Sequence, residues 1–133
     1  MTLALQKELS LEDKQKALFK ILDKISRELF DGTQKRVAAC LHIDPSTVSR
    51  WFKDQTCKLN PDSRSNDYQV LVHLIAIYRS LASLFANPLD RKAWFQAANT
   101  HLHGQSPEAL VMEGIEGMIR VRQYLDFMRG QGA

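Results

Sequence analysis

Along residues 11–30 apolar residues fall at Leu11, Leu18, Ile21, Leu22, Ile25, Leu29 and Phe30. Their three-and-four spacing predicts one face of an amphipathic helix. Lys14, Lys16, Lys20 and Lys24, mixed with Asp13, Asp23 and Glu28, fall to its solvated side. "DGT" at 31–33 ends the pattern: Gly32 can close a helix, and Thr33 suits the N-cap of the next. That next helix is predicted over 34–41. "HID" then makes a turn. Asp44 is expected as an N-cap, with Pro45 at the first helical position, where its missing N–H costs nothing. The third helix should reach about residue 54.

The stretch 54–67, "DQTCKLNPDSRSND", is polar and without period. It reads as a linker or long loop and is the best boundary in the chain. Residues 67–86 are apolar over a wide arc, which predicts a helix buried on more than one side. "NPLD" should break it, with a short helix over 91–98 and a loop, "NTHLHGQSP", to follow. Ser106 and Pro107 repeat the pairing of N-cap and first-turn proline. Gly114 and Gly117 interrupt or bend the pattern. A last helix runs to about residue 128, with Met118, Val121, Leu125 and Met128 on one face, before a loose "RGQGA". The expected fold is all-α: a helix-turn-helix bundle in residues 1–58 and a small helical unit in 67–133.

The helix-turn-helix reading rests on residues 34–53. Ala38 is small where two helices would cross, and Val37 and Leu41 bury the first of them. Ile43 leaves the turn, and Val48 and Trp51, three apart, face inward with Phe52 beside them. His42 stands where this turn usually has glycine at positive φ, a conformation histidine tolerates better than most residues. The register then defines an outward row. Ser46, Ser49, Arg50 and Lys53 recur at i, i+3, i+4 and i+7, with Thr47 adjoining. Small hydroxyls near the helix start allow close approach to base edges. Arg50 can bond guanine through two N–H groups, and Lys53 can reach phosphate. Gln34 and Lys35 open the preceding helix, whose free N–H groups also suit phosphate. These seven polar residues are the candidate DNA contacts.

Charge supports that assignment by its distribution. The 133 residues carry a net +3, and residues 1–60 hold all of the excess, with 11 Lys and Arg against 8 acids. Residues 33–58 contribute Lys35, Arg36, Arg50, Lys53 and Lys58 against Asp44 and Asp54. Cys40 and Cys57 do not make a disulfide framework, no secretory leader is evident, and no apolar run nears a bilayer's width. A cytoplasmic protein is therefore expected. Cys40, His42, Cys57 and His73 lack metal-ligand spacing, and Ser106 lacks the setting of a nucleophile. His101 and His103 alternate in the loop and suit a contact surface. Trp51, Trp94 and Tyr124 read as core aromatics. No catalytic constellation forms, so a binding protein with no metal or cofactor is expected rather than an enzyme.

In the C-terminal half, Trp94 leads to Asn99, Leu102 with Gly104, Pro107, Gly117, Leu125 and Gly130. That series resembles the toxin-binding domain of the Xre/MbcA/ParS antitoxins. Phe95 and Ala98 depart from it, where the family often has Leu and Pro. An Xre-type helix-turn-helix in front of this domain is the family's usual layout. The resemblance implies a partner, a RES-domain toxin that consumes NAD, whose active-site entrance the C-terminal domain would cover. It also implies operator DNA at the shared promoter, a homodimer, and a toxin–antitoxin hetero-oligomer. The residues it points to for the toxin are Trp94, Asn99, His103, Gly104, Arg129 and Gly130, with Gly104, Pro107 and Gly117 setting backbone shape. The residues alone leave open a stand-alone transcription regulator whose C-terminal half only dimerises.

Overall fold

The structure is a computed structural model and describes residues 9–130. Its elements are α1 (Leu11–Leu29), α2 (Gln34–Leu41), α3 (Pro45–Asp54), α4 (Asn66–Leu84), α5 (Pro88–Gln96), a 3-10 turn (Thr100–Leu102), α6 (Pro107–Glu113) and α7 (Ile115–Met128). Among the described residues there is no strand, so the all-α expectation holds. The "RGQGA" tail lies outside the described residues beyond Gly130.

Local chemistry starts most of these helices. Ser10, Ser65 and Ser106 each accept a hydrogen bond from an N–H three residues on, and Asp44 and Asn87 accept from two residues on. Pro45, Pro88 and Pro107 stand at the first turn. Two expectations need correction here. Thr33 occupies the N-cap of α2, but its side chain makes no capping bond. The helix expected over 91–98 begins at Pro88, because Asn87 and Pro88 start a helix with the same device as Asp44 and Pro45.

One hydrophobic cluster includes residues from every helix. α4 is buried on several sides through Val70, Leu71, Leu74, Ile75, Ile77, Tyr78 and Leu81, and packs along α7. α6 also packs on α7, and α2 on α3. Gly117 lets α6 and α7 approach: a Cβ there would collide with the Leu110 carbonyl oxygen and stand 2.7 Å from its carbon. Gly114, at φ 128°, separates the two helices. At the ends of elements the sequence pattern overshoots. Leu11 is 46% exposed and Met128 36% exposed, although both share the spacing of buried neighbours. Phe19 and Gln15 are buried on α1 instead. The 55–65 segment is tied to α1, since the Gln15 side chain donates to the Leu59 carbonyl (3.1 Å) and the Cys57 N–H to the Gln15 carbonyl (3.2 Å).

Polar contacts fasten the α2–α3 pair and the end of α1 to the C-terminal helices. Arg36 of α2 pairs with Glu108 of α6 and with Asp31 (3.2 Å), and Asp31 pairs with Lys92 of α5. Arg91 pairs with Glu28 at 2.8 Å, and the Tyr78 hydroxyl donates to the other oxygen of Glu28 at 2.9 Å. The Phe30 and Phe95 rings meet edge to face at 5.5 Å.

Candidate functional site

α2 and α3 make a tight helix pair. Val37, Ala38, Leu41, Val48 and Trp51 are buried, while Ile43 and Phe52 are partly buried against the same core. His42 takes the left-handed conformation at φ 57°, and Ile43 N–H donates to the Ala38 carbonyl across the turn (3.1 Å). Histidine thus fills the position expected to need positive φ.

With that face buried, the row on α3 points away from the core. Ser46, Ser49, Arg50 and Lys53 are exposed, Thr47 is partly so, and Gln34 and Lys35 are exposed at the start of α2. Among the described residues Lys35, Arg50, Lys53 and Lys58 enter no ion pair, so their charge is uncompensated. Two residues behave differently from the sequence reading. Arg36, counted there with the basic surface, spends its guanidinium on Glu108, Asp31 and the Phe30 carbonyl. The Ser46 hydroxyl donates to Asp44 Oδ1 at 2.6 Å, and that bond and the Ser46 N–H hold the Asp44 carboxyl below its usual range. Ser46 therefore serves the cap as well as the outward row.

A second surface gathers at α5, the 99–105 loop and α7. The Trp94 and Tyr124 rings lie parallel, 7° apart in plane and 6.3 Å between centroids. His101 stacks on the same tyrosine at 5.3 Å, and Phe127 lies 6.3 Å from it at 20°. Trp94 and Tyr124, read as core residues in the sequence, sit at the core's edge and are only partly buried, and Phe127 is 63% exposed. These four rings form an aromatic ledge with Arg120 one turn before Tyr124. The loop beside it is shaped by Asn99. Its side chain accepts from His101 N–H (2.9 Å), and its carbonyl accepts from Leu102 N–H (3.0 Å) and Gly104 N–H (2.9 Å). His103 and Gly104 then turn the chain with positive φ and are exposed.

Of the six residues singled out for a toxin, the structure brings together Trp94, Asn99, His103 and Gly104. Arg129 lies elsewhere, and Gly130 follows Phe127, donating to its carbonyl at 3.0 Å. Arg129 donates to Ser80 Oγ at 3.2 Å and turns to the other side of α7, and Gly130 closes that helix at φ 81°. Sequence reasoning missed Phe127 as a surface aromatic. The available signal was the i, i+3 pair Tyr124 and Phe127, which falls outside the Met118, Val121 and Leu125 face.

Burial pushes the Cys40 thiol up to about 12 and the Cys57 thiol to about 11, so both stay protonated and poor as nucleophiles or ligands. Among the described residues no cluster of three metal-ligating side chains occurs, and no helix is long and apolar enough to cross a membrane.

The ledge and its loop fall within residues 80–130, which match the model of the antitoxin Xre/MbcA/ParS C-terminal toxin-binding domain. This stretch is an Xre/MbcA/ParS-type toxin-binding domain. The match runs from the last turn of α4 through α7 and leaves α1–α3 outside it. No curated protein matches the chain. The Xre/MbcA/ParS domain implies a toxin as partner and an antitoxin role for the chain.

Proposed function

We propose that this chain is the antitoxin of a two-component system and binds two partners through separate ends. Its C-terminal unit, residues 67–133, covers the active-site entrance of a RES-domain toxin that consumes NAD. Its N-terminal unit, residues 1–58, holds operator DNA through α3 and represses its own operon. Inhibition is steric and asks for no chemistry from the antitoxin, which is consistent with two buried, protonated thiols and a binding role rather than an enzymatic one. The toxin meets the ledge of Trp94, His101, Tyr124 and Phe127, with Asn99 holding the His103–Gly104 turn at its edge. A two-fold dimer of the chain suits a palindromic operator, and the toxin adds to it as a hetero-oligomer in the cytoplasm.

The observation that carries this reading is the exposed aromatic ledge inside the antitoxin-type domain. Large partly exposed aromatics on a rigid support are the residues that dominate protein interfaces. Co-expression with the product of the adjacent gene tests it. The two proteins should co-purify, and the antitoxin should restore growth and cellular NAD. Absence of a complex and of rescue would sink the proposal. In that event the exposed cations of α2 and α3 favour a stand-alone regulator, which binds an operator with no toxin encoded nearby.

A further inference from the structure

On the opposite side of α7 from the ledge lies an open groove of about 640 Å³ between α1, α4 and α7. Leu18, Ile21, Val72, Ile75 and Ala76 give it an apolar floor. Its rim is different: Arg79, Arg122 and Arg129 face a single carboxylate, Asp126. Arg122, Asp126 and Arg129 recur at i, i+4 and i+7, so one stripe of α7 supplies most of that rim.

None of the three guanidiniums enters an ion pair among the described residues. Two are instead held by neutral groups. Arg122 Nη1 donates to His73 Nδ1 at 2.9 Å, and Arg129 Nη1 donates to Ser80 Oγ at 3.2 Å. Burial and the Arg122 charge both keep the His73 pKa below its usual value, so the imidazole accepts without adding charge or removing it. These bonds orient Arg122 and Arg129, and the rim keeps an excess of positive charge over the one carboxylate, Asp126. Oriented guanidiniums with free N–H groups suit carboxylates, which they bind through two bonds at once.

We infer that this groove docks an acidic amphipathic helical segment of a partner protein, its apolar side chains on the floor and its carboxylates on the arginine rim. An apolar trough between helices is the shape that receives such a segment, anchored at i, i+3 or i+4, and i+7. The charge argues against a second copy of this chain, because a two-fold contact would bring two rims of three cations and one acid together. Leu18, Ile21, Val72, Ile75 and Ala76 offer a phosphate backbone no partner, so a duplex would use the rim alone and leave the floor unfilled. The groove is separate from the ledge and does not depend on it, so its occupant can bind together with a partner seated there.

The test uses the full chain and a fluorescent peptide with Leu at helical spacing flanked by Glu, against the same peptide with Lys in place of Glu. The acidic peptide should bind saturably and more weakly at high salt, and the basic one should not. Arg79→Glu, at an exposed position, should lower the acidic peptide's affinity at least about tenfold. Ala76→Glu, which charges the floor, should do the same, whereas Trp94→Ala should leave it unchanged. Thermal melts identify any variant that fails to fold. Equal binding of both peptides, or no effect of Arg79→Glu in a folded chain, overturns the proposal. Self-association lost on Arg79→Glu would assign the groove to a second copy. Displacement of the peptide by duplex DNA in an Arg50→Ala, Lys53→Ala background would assign it to phosphate.

Discussion

The outward row of α3 takes its side chains from successive turns of one ten-residue helix, whereas the aromatic ledge draws on α5, a loop and α7. The row is polar, charged and exposed, and each member stands alone apart from the Ser46 and Asp44 bond. Ledge rings support one another by stacking, and a bonded loop turn frames them. A surface of independent charges can be weakened by degrees, one contact at a time. A surface assembled from three segments depends on the packing that brings them into register, so damage far from any contact can abolish it.

Gly117→Ala should give the largest effect because it attacks that packing. The added methyl has no room against the Leu110 carbonyl, and α6 and α7 must part to admit it. We expect a loss of stability of at least about 3 kcal/mol, the upper range for overpacking, read as a falling denaturation midpoint. Toxin capture should be lost with it. A Gly117→Ala chain with unchanged stability would show that the two helices do not approach as closely as the structure requires.

A crossed pair of truncations separates the surfaces. Trp94→Ala should cost about 2–4 kcal/mol of toxin affinity, as for a central interface aromatic, and leave DNA affinity intact. Arg50→Ala should cost about 1–3 kcal/mol of specific DNA affinity and leave toxin binding intact. Titration calorimetry for the toxin and fluorescence anisotropy for the operator read each arm. If either truncation weakened both partners equally, the two ends would not be separate surfaces.

Arg36 is the sharpest probe of what connects them. It belongs to α2 of the helix pair, yet it is spent on Glu108 of α6 and on Asp31, itself paired with Lys92 of α5. Arg36→Ala leaves Glu108, a half-sheltered carboxylate, without its cation. The expected cost is about 2 kcal/mol in thermal or chemical denaturation, with no change in the salt dependence of DNA binding. A reduced salt slope would instead add Arg36 to the DNA surface.

What could be read in advance follows the range of the forces. Helix starts are local chemistry, so Asp44–Pro45 and Ser106–Pro107 were legible, and α2 and α3 were bounded as observed. Asn87–Pro88 uses the same device but was masked by the apparent break after α4. The row on α3 was legible because one helix period defines it once Val48 and Trp51 are known to be inside. Arg36 was counted only as part of the basic charge of 33–58, because its partner Glu108 is 72 residues away. The ledge was partly legible, through Trp94, Asn99 and the loop after it. Its completion by Tyr124 and Phe127 depends on how α7 lies against α5, which no single window of sequence contains. Among the described residues, Leu11 and Met128 carry the apolar spacing past the last neighbour that covers them.

The smallest expected effect tests the contrast in its simplest physical form. Lys53 is exposed and unpaired near the end of α3, so on the DNA-binding reading it contributes one phosphate contact and little sequence discrimination. Its removal should release one fewer counterion on binding. The slope of log affinity against log salt for the operator should therefore become shallower by about 0.9 in Lys53→Ala. The loss should be of similar size on unrelated duplexes, since phosphate carries no sequence. Toxin affinity, resting on stacked rings rather than on exposed charge, should neither change in this variant nor show a comparable salt slope in the unaltered chain. A Lys53→Ala chain with an unchanged slope would remove this residue from the DNA surface, and a steep salt dependence of toxin binding would mean that charge rather than the ledge holds the toxin.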